Sequence, residues 1–562
     1  MNELSAIDLT IIGVYLIGII LYGLSQSKRS NSEDYFLGGR TMTWPIVGIA
    51  LFSANISSST LIGLAGSAYK LDTTVYNYEW YAVVVLVFFA IFFLPFYIRS
   101  GVYTMPEFLE KRYNSASRYY FSFITVVGNI LIDTAASLYV GTIVLSLIFP
   151  DLEPWIVIVI LALSAAIYTI PGGLNSVMQT EVIQAIILIF GSIVLTYFAF
   201  DEVGGWSEMV NKLDGLNASG EINKDADTAL SIVRDNSGDW WRQYDDPIVP
   251  WWGLLTGVPL LGFYFWANNQ FMVQRVLGAK DLNHGRWGAL FAGLLKLPVI
   301  LIMVIPGTLA FLLYRNSDIS YMTTNGPCSN LANCTDYTYP TLLFDLLPTG
   351  LLGLVVAGLL AAMMSSISAT FNSASTLITM DFVHKINPRL SSKQLVRAGQ
   401  IATVVLVILA SVWAPFIGEY GDLFKYLQDI LGYIAPPIVS VFILGLFWKR
   451  ANAKGSIISL IVGFLFSVIW VVGIINKVDH WFFQLHFLLR TSILFAICIV
   501  VHTVVSLLTA APDPKKLEGM IWTPKLIALE TEELKELPWY KNYRYLSVIL
   551  LVITIVVVSF FW

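Results

Sequence analysis

The sequence predicts an all-α polytopic membrane protein of about fourteen transmembrane helices, and three observations carry that reading. Of 562 residues, 56% are apolar and 13% charged, with mean hydropathy +0.71. A soluble chain of this size carries roughly 25% charged residues. Apolar runs recur from end to end at the length of about 20 helical residues needed to cross about 30 Å of hydrocarbon. The basic residues between those runs alternate between sparse and dense loops, as the positive-inside rule requires.

The first run, 7–25, follows "MNELSAIDLT". That segment has no basic n-region, and no small-x-small cleavage site precedes Lys28 and Arg29, so the run reads as a retained span. The next runs are 44–69, 75–98, 119–149, 153–170, 180–200, 250–274 and 288–314. They are followed by 347–382, 397–415, 421–448, 454–475, 484–509 and 543–561. The run 153–170 is short, and 421–448 carries charges. With the N-terminus outside, the inner loops hold 23 of the 33 Lys and Arg, among them Arg112, Arg118, Arg275 and Arg286. The outer loops hold 7, and Lys296, Lys425 and Arg490 fall within spans. This asymmetry disfavours the inverse topology. An even number of spans returns the C-terminus to the outside.

The expected organisation follows. Residues 1–43 form the first span and an inner loop. Residues 44–200 form a first five-helix unit, 201–249 an outer loop, and 250–448 a second five-helix unit with an outer loop at 315–346. Residues 449–562 form three peripheral spans, with 510–542 as an inner tether before the last. Cys498 reads as a small core residue. Cys328 and Cys334 share an outer loop and are either a disulfide or two free thiols, since the spacing alone does not decide.

Polar groups at membrane depth are costly unless paired or lining a cavity, so they mark candidate sites. The run "FSANISSSTLIG" (52–63) holds Ser53, Asn55, Ser57, Ser58, Ser59 and Thr60. Such side chains compete for backbone groups and can unwind a helix. The freed carbonyls, with hydroxyls, are hard ligands for a small cation. Small-residue helix packing is the competing explanation. Five spans later, "GLLTGVPLLGFYFWANNQFMVQR" (253–275) is interrupted again. Two broken helices in matching positions mark an inverted-repeat transporter, with solute and ion near the midplane. In "AGLLAAMMSSISATFNSASTLITMD" (357–381), Ser365 and Ser368 share a helix face. They could complete a cation site, or the hydroxyls could satisfy themselves on i−4 carbonyls.

The charges within spans are Glu79, Asp133, Glu181, Lys296, Lys425, Asp429 and Asp381, with Gln428 beside them. Those near span ends, Asp381, Lys425 and Asp429, could simply reach water. A Glu, a Lys and a Gln near aromatic rings suit a neutral polyhydroxylated solute, and the opposite charges can pair when the site is empty. The triplets "NAS" (217–219) and "NCT" (333–335) fit the glycosylation acceptor but are common by chance. The five histidines show no metal spacing. No nucleotide fingerprint and no nucleophile–base set is visible, so neither ATP-driven transport, an enzyme, nor a nucleic-acid partner is expected.

Nearly the whole chain resembles the sodium/solute symporter family, and within it the sodium/glucose and galactose cotransporters. The resemblance rests on "EDYFLGGR", "FSANIS", "YEW", "YTMPEFLEKRYN", "GGL…TEVIQ", "W..NQ…QR", "LLKL", "MMSS.SATFNSASTLITMD" and "GLFWKR…KG". It implies a leucine-transporter-type five-plus-five inverted-repeat core beginning at the second span. It implies a sodium site from the carbonyls of Ser53, Ile56 and Ala362 and the hydroxyls of Ser365 and Ser366. Glu181 falls on an inner sodium exit path, or at a second sodium site with Ser365 and Ser368. Sugar contacts fall on Asn55, Glu79, Lys296 and Gln428, with Thr60 at a further contact position. Outer gates fall on Leu64, Tyr78 and Phe424, and an inner gate on Phe265.

The chain departs from that pattern at six positions, among them Phe265, where the sugar transporters carry tyrosine, and Glu181, where relatives carry aspartate. Thr60 stands where relatives carry Gln or His, Gly262 where they carry Asn or Thr, and Ala82 where they carry Ser. Ala369 replaces a serine of a second sodium site. The function expected is sodium-driven symport of a glucose- or galactose-like sugar by alternating access. Inositol, sialic acid or another hydrophilic solute is the alternative, as is an uncoupled uniporter or sensor. The expected location is the plasma membrane, in particular a bacterial inner membrane.

Overall fold

A computed structural model describes the chain except residues 1–3, 28–30, 150–151, 236–237, 243–246, 318–320, 324–325, 329–330, 332–333 and 421–422, and except the side chains of 321–323, 326–328 and 418–420. Lys28 and Arg29, and Asn333 of the second glycosylation triplet, lie outside the described residues, as does the Cys328 side chain. Cys334 is disulfide-bonded, and Cys498 is a free, buried thiol.

Among the described residues nine helices are long and apolar enough to span a membrane, or eleven if two bent pairs each count as one. The first is α1 (Ala6–Ser25), opened by a reciprocal cap in which Ser5 Oγ accepts the Asp8 amide at 3.2 Å. The bent pair α2 (Trp44–Asn55) and α3 (Ser58–Tyr69) turns through 54°. Next come α4 (Thr73–Ser100) and α5 (Ser115–Ile148). α6 (Pro154–Val203) holds both expected runs 153–170 and 180–200 in one helical element that turns at Gly173, where φ is +62°. A Cβ at Gly173 would lie 2.4 Å from the Tyr35 carbonyl, so the turn and the close approach both require glycine.

The expected run 250–274 breaks into α7 (Gly257–Phe263), a wide turn over Tyr264–Asn268, and α8 (Gln270–Leu277). Asn269 is extended there, and its side chain accepts the Phe271 amide at 3.3 Å. The second bent pair is α9 (Leu282–Lys296) and α10 (Ile300–Tyr314), at 47°. A two-stranded hairpin, β1 (Tyr321–Thr323) and β2 (Gly326–Cys328), precedes α11 (Leu351–Ile386). Then follow α12 (Ser392–Ile417), α13 (Leu423–Phe447), α14 (Ala453–Ile475) and α15 (Phe487–Leu508). A shorter apolar helix, α16 (Tyr543–Ser559), comes last.

Helix α11 is buried along almost its full length and forms the centre against which α1, α2, α5 and α6 pack. Asp8 of α1 caps it, accepting the Gly350 and Gly353 amides at 2.7 and 2.8 Å. The segment 510–542 is more than a tether. Its helix Pro524–Lys535 docks through Glu530, which pairs with Arg286 at 2.6 Å and Arg544 at 3.1 Å.

Candidate solute and cation site

The break between α2 and α3 is built by its own polar side chains. The Ser57 amide donates to Asn55 O at 2.8 Å, not to Ser53 O as a helix would require. The Thr60 amide donates to Ser57 Oγ at 3.2 Å, not to Ile56 O. Thr60 Oγ1 donates to Asn55 O at 2.8 Å and fastens the two halves. Two carbonyls, Ser53 O and Ile56 O, thereby lose their usual i+4 amide donors. They are two of the three carbonyls named by the resemblance; the third, Ala362 O, accepts from Ser366 Oγ.

Beside this break, Ser53 Oγ lies 3.4 Å from Ser365 Oγ of α11. Ser366 Oγ donates to Ala362 O at 3.1 Å one turn earlier. All of these residues are buried, and their donors are uncharged oxygens. Among the described residues no group of three or more His, Cys, Asp and Glu could hold a metal. Such a set suits a hard univalent cation and offers a divalent one no charge compensation. Ser368 stands apart, its Oγ donating to Tyr168 OH at 2.6 Å.

Across the break lies a cavity of about 100 Å³. It is small beside the roughly 300–1,000 Å³ of ligand clefts. Tyr78 and Phe424 meet edge to face over it at 5.4 Å, and Phe265 packs on Trp266 and Phe271. Asn55, Thr60, Glu79 and Gln428 line it, so four expected solute contacts converge on one space. Lys296 joins them from α9: its Nζ donates to Asn55 Oδ1 and to the Glu79 carboxylate. The ammonium lies 5.6 Å from the Trp266 ring centroid and 5.9 Å from that of Phe52. Leu64 is buried on α3 and does not line the cavity. Trp266, missed as a site residue, does line it. Its signal was the break itself, since a ring beside an unwound turn faces the space the turn opens.

Glu181 of α6 is fully buried in an ion pair with Arg275 of α8. It lies close enough to Tyr168 to interact electrostatically, which puts it on the Ser368 side of the core. Arg275 and Arg286, expected in inner loops, lie within α8 and α9. Both are buried, as are Arg112 and Arg118. Asp381 does not reach for water either. It accepts from Arg118 Nη2 and Ser122 Oγ at 2.5 Å and from Thr104 Oγ1 at 2.8 Å. Charge counting sees the type of residue and not its partner, so it does not reveal which charges are paired and buried.

Two broken helices around a central cavity, with an uncharged oxygen cluster beside it, define a multi-pass secondary transporter. The sequence profile of the sodium:solute symporter family matches residues 35–463, and the chain belongs to that family. Members of the family are transporters, and sodium is the coupling ion. The chain is 33% identical to sodium/glucose cotransporter 1 of Ovis aries, covering 92% of this chain and 81% of that one. It is 33% identical to sodium/glucose cotransporter 4 of Danio rerio, over 96% and 84%. It is also 33% identical to sodium/myo-inositol cotransporter 2 of Oryctolagus cuniculus, over 92% and 78%. A solved Na+-coupled sialic acid symporter, substrate-bound and outward-open, superposes with a TM-score of 0.75 at 22% identity, over 91% and 99%. A nucleobase-cation-symport-1 family transporter superposes at 0.52 and 12% identity, over 86% and 97%. These neighbours share the all-helical, leucine-transporter-type fold.

Proposed function

We propose that the chain couples sodium entry to uptake of a small polyhydroxylated solute of the monosaccharide class by alternating access. One observation carries the reading. The α2–α3 break frees Ser53 O and Ile56 O beside Ser365 and Ser366, and on the same break Asn55 contacts Lys296 at the solute cavity. A sodium ion held by Ser53, Ile56, Ala362, Ser365 and Ser366 fixes that break, and so sets the position of Asn55 and Thr60. Solute and ion then raise each other's affinity, as linkage requires. Asn55, Thr60, Glu79, Lys296 and Gln428 hold the solute. Leu64, Tyr78 and Phe424 close the outer side and Phe265 the inner. Sodium leaves past Ser368 and Glu181. One charge moving through 100 mV releases about 2.3 kcal/mol. At about 1.4 kcal/mol per tenfold, that concentrates solute roughly 50-fold.

The same reading gives fourteen spans with both termini outside, divided as 44–200 and 250–448 around the outer loop 201–249. We assign it to the plasma membrane. The relatives named above are animal proteins and lend the bacterial inner membrane no support. Inositol is the second solute reading, favoured by the equal 33% identity to the inositol cotransporter and by the altered positions Thr60, Ala82 and Gly262.

Uptake of labelled glucose, galactose and myo-inositol into proteoliposomes under an inward sodium gradient tests this. Uptake lost when potassium replaces sodium supports symport. Equal uptake in both ions overturns it in favour of a uniporter.

A further inference from the structure

Two carboxylates line the cavity among the described residues, Glu79 and Asp133. Glu79 is neutralised by Lys296. Asp133 has no such cation. Its carboxylate has neither an ion-pair partner nor a hydrogen bond among the described residues, and the one side chain that bonds this residue, Ser137 Oγ, donates to its backbone carbonyl. It projects from a wide turn, Asn129–Thr134, in the middle of α5. The groups lining the cavity around it are uncharged: Ser137, Gly262, Phe265 and Gln428. The nearby acid Asp429 is held by Arg490 at 3.2 Å and adds nothing to this wall. The cavity therefore carries one acidic group with no countercharge of its own.

An isolated carboxylate at membrane depth is expensive, and it persists where a cavity or a ligand compensates it. An ammonium group on the solute would do so, with a charge-assisted hydrogen bond in a low-dielectric setting. A neutral sugar offers only hydroxyl donors, and an anionic one is repelled. We infer that Asp133 sets the specificity of the cavity by pairing with a cationic amino group, so that the solute class is an amino-bearing polyhydroxylated compound such as an amino sugar. This rests on the reading of the cavity as the solute site of a symporter.

The test is calorimetric titration of the full-length chain in detergent with D-glucosamine, D-glucose and D-glucuronate, in sodium and in potassium. A pH of about 6.5 keeps a weakly basic amine, with a pKa near 7.7, charged. The expected result is glucosamine bound about tenfold more tightly than glucose, the size of one hydrogen bond to a charged group, with glucuronate weakest. Asp133→Asn and Asp133→Ser should each bring the glucosamine-to-glucose ratio close to one. A wild-type ratio of one or less, a ratio unchanged in both variants, or no binding of either probe would overturn the inference. The ions read the symport separately. Amine preference with equal affinity in sodium and potassium keeps the inference and overturns coupling. Sodium-dependent glucose binding without amine preference does the reverse.

Discussion

Lys296 Nζ bridges Asn55 Oδ1 and the Glu79 carboxylate, tying the broken span α2–α3 to α4 across the solute cavity. The bridge pairs two buried charges whose separate desolvation would be severe. Lys296→Ala leaves Glu79 buried without its cation, and breaking such a pair costs about 3–5 kcal/mol. The cavity admits water beside Glu79, so the lower end is expected. Glu79→Ala with Lys296→Ala should cost less than the two single changes added together. Thermal unfolding in detergent of the two singles and the double measures this. A Lys296→Ala protein that unfolds with the wild type would reject the pairing.

Ser365 and Ser368 sit one turn apart and should behave differently. Ser365 Oγ faces Ser53 at the helix break, whereas Ser368 Oγ is already donated to Tyr168. Removing a ligand to a charged group costs about 1.5–3 kcal/mol. Ser365→Ala is therefore expected to raise the sodium concentration for half-maximal uptake roughly ten- to hundredfold. Ser368→Ala should raise it by less than about threefold. Sodium titrations of uptake in both variants decide it, and equal shifts would move the ion away from the break.

The break itself was legible in the sequence. Hydroxyls at membrane depth either pack helices closely or serve a break, and the same residues that announce the break also build it: Ser57 caps α3 and Thr60 fastens it to Asn55. Glu79 and Lys296 were legible for the same reason, as polar groups with apolar neighbours, and Gln428 as a polar group within a span. What hydropathy could not supply was partnership. Glu181 and Arg275 are 94 residues apart and Arg118 and Asp381 are 263 apart, yet each pair is buried together. Read alone, Arg275 is a loop cation and Asp381 a snorkelling acid. Asp133 shows the converse: its polarity was plain in the sequence, but its lack of a partner needed coordinates. The docking of 510–542 was equally hidden, because Glu530 gains meaning only beside Arg286.

Gly307 of α10 meets the backbone of α3. A Cβ there would stand 2.1 Å from Ala65 O and 2.8 Å from Ala68 Cβ, which no rotamer change can relieve. Gly307→Ala must push α3 away, at an overpacking cost of about 1–3 kcal/mol. Because α3 carries Thr60 into the cavity, solute uptake should fall as well. Gly13 of α1 has nothing within 4 Å of its added Cβ. Gly13→Ala is expected to be neutral or to stabilise by up to about 1 kcal/mol through helix propensity. Unfolding temperatures and uptake of the two variants test the contrast.

Glu110 lies outside the spans, in the short helix Met105–Arg112, and joins three elements. It accepts from Lys385 Nζ and Arg118 Nη1 at 2.6 Å each and from Ser115 Oγ. Partial burial pushes its carboxyl up. The hydrogen bonds from Lys385, Ser115 and Arg118, with the Arg118 charge, outweigh that and bring it down to about 2. An unfolded glutamate titrates near 4.3. The folded value is the lower one, so the unfolded chain takes up this proton first as the pH falls. The stabilisation is complete above about pH 4.3 and is lost progressively as the pH falls towards 2. Glu110→Gln lacks the titrating group. At neutral pH it is expected to be less stable by about 1 kcal/mol or less, since the cluster is partly exposed and screened. As the pH falls from about 4.3 towards 2 the wild type should lose that advantage, about half of it by pH 3, and the two unfolding temperatures should converge. A gap that stays constant from pH 7 to pH 3 would show that the Glu110 charge does not hold Arg118 and Lys385 in place.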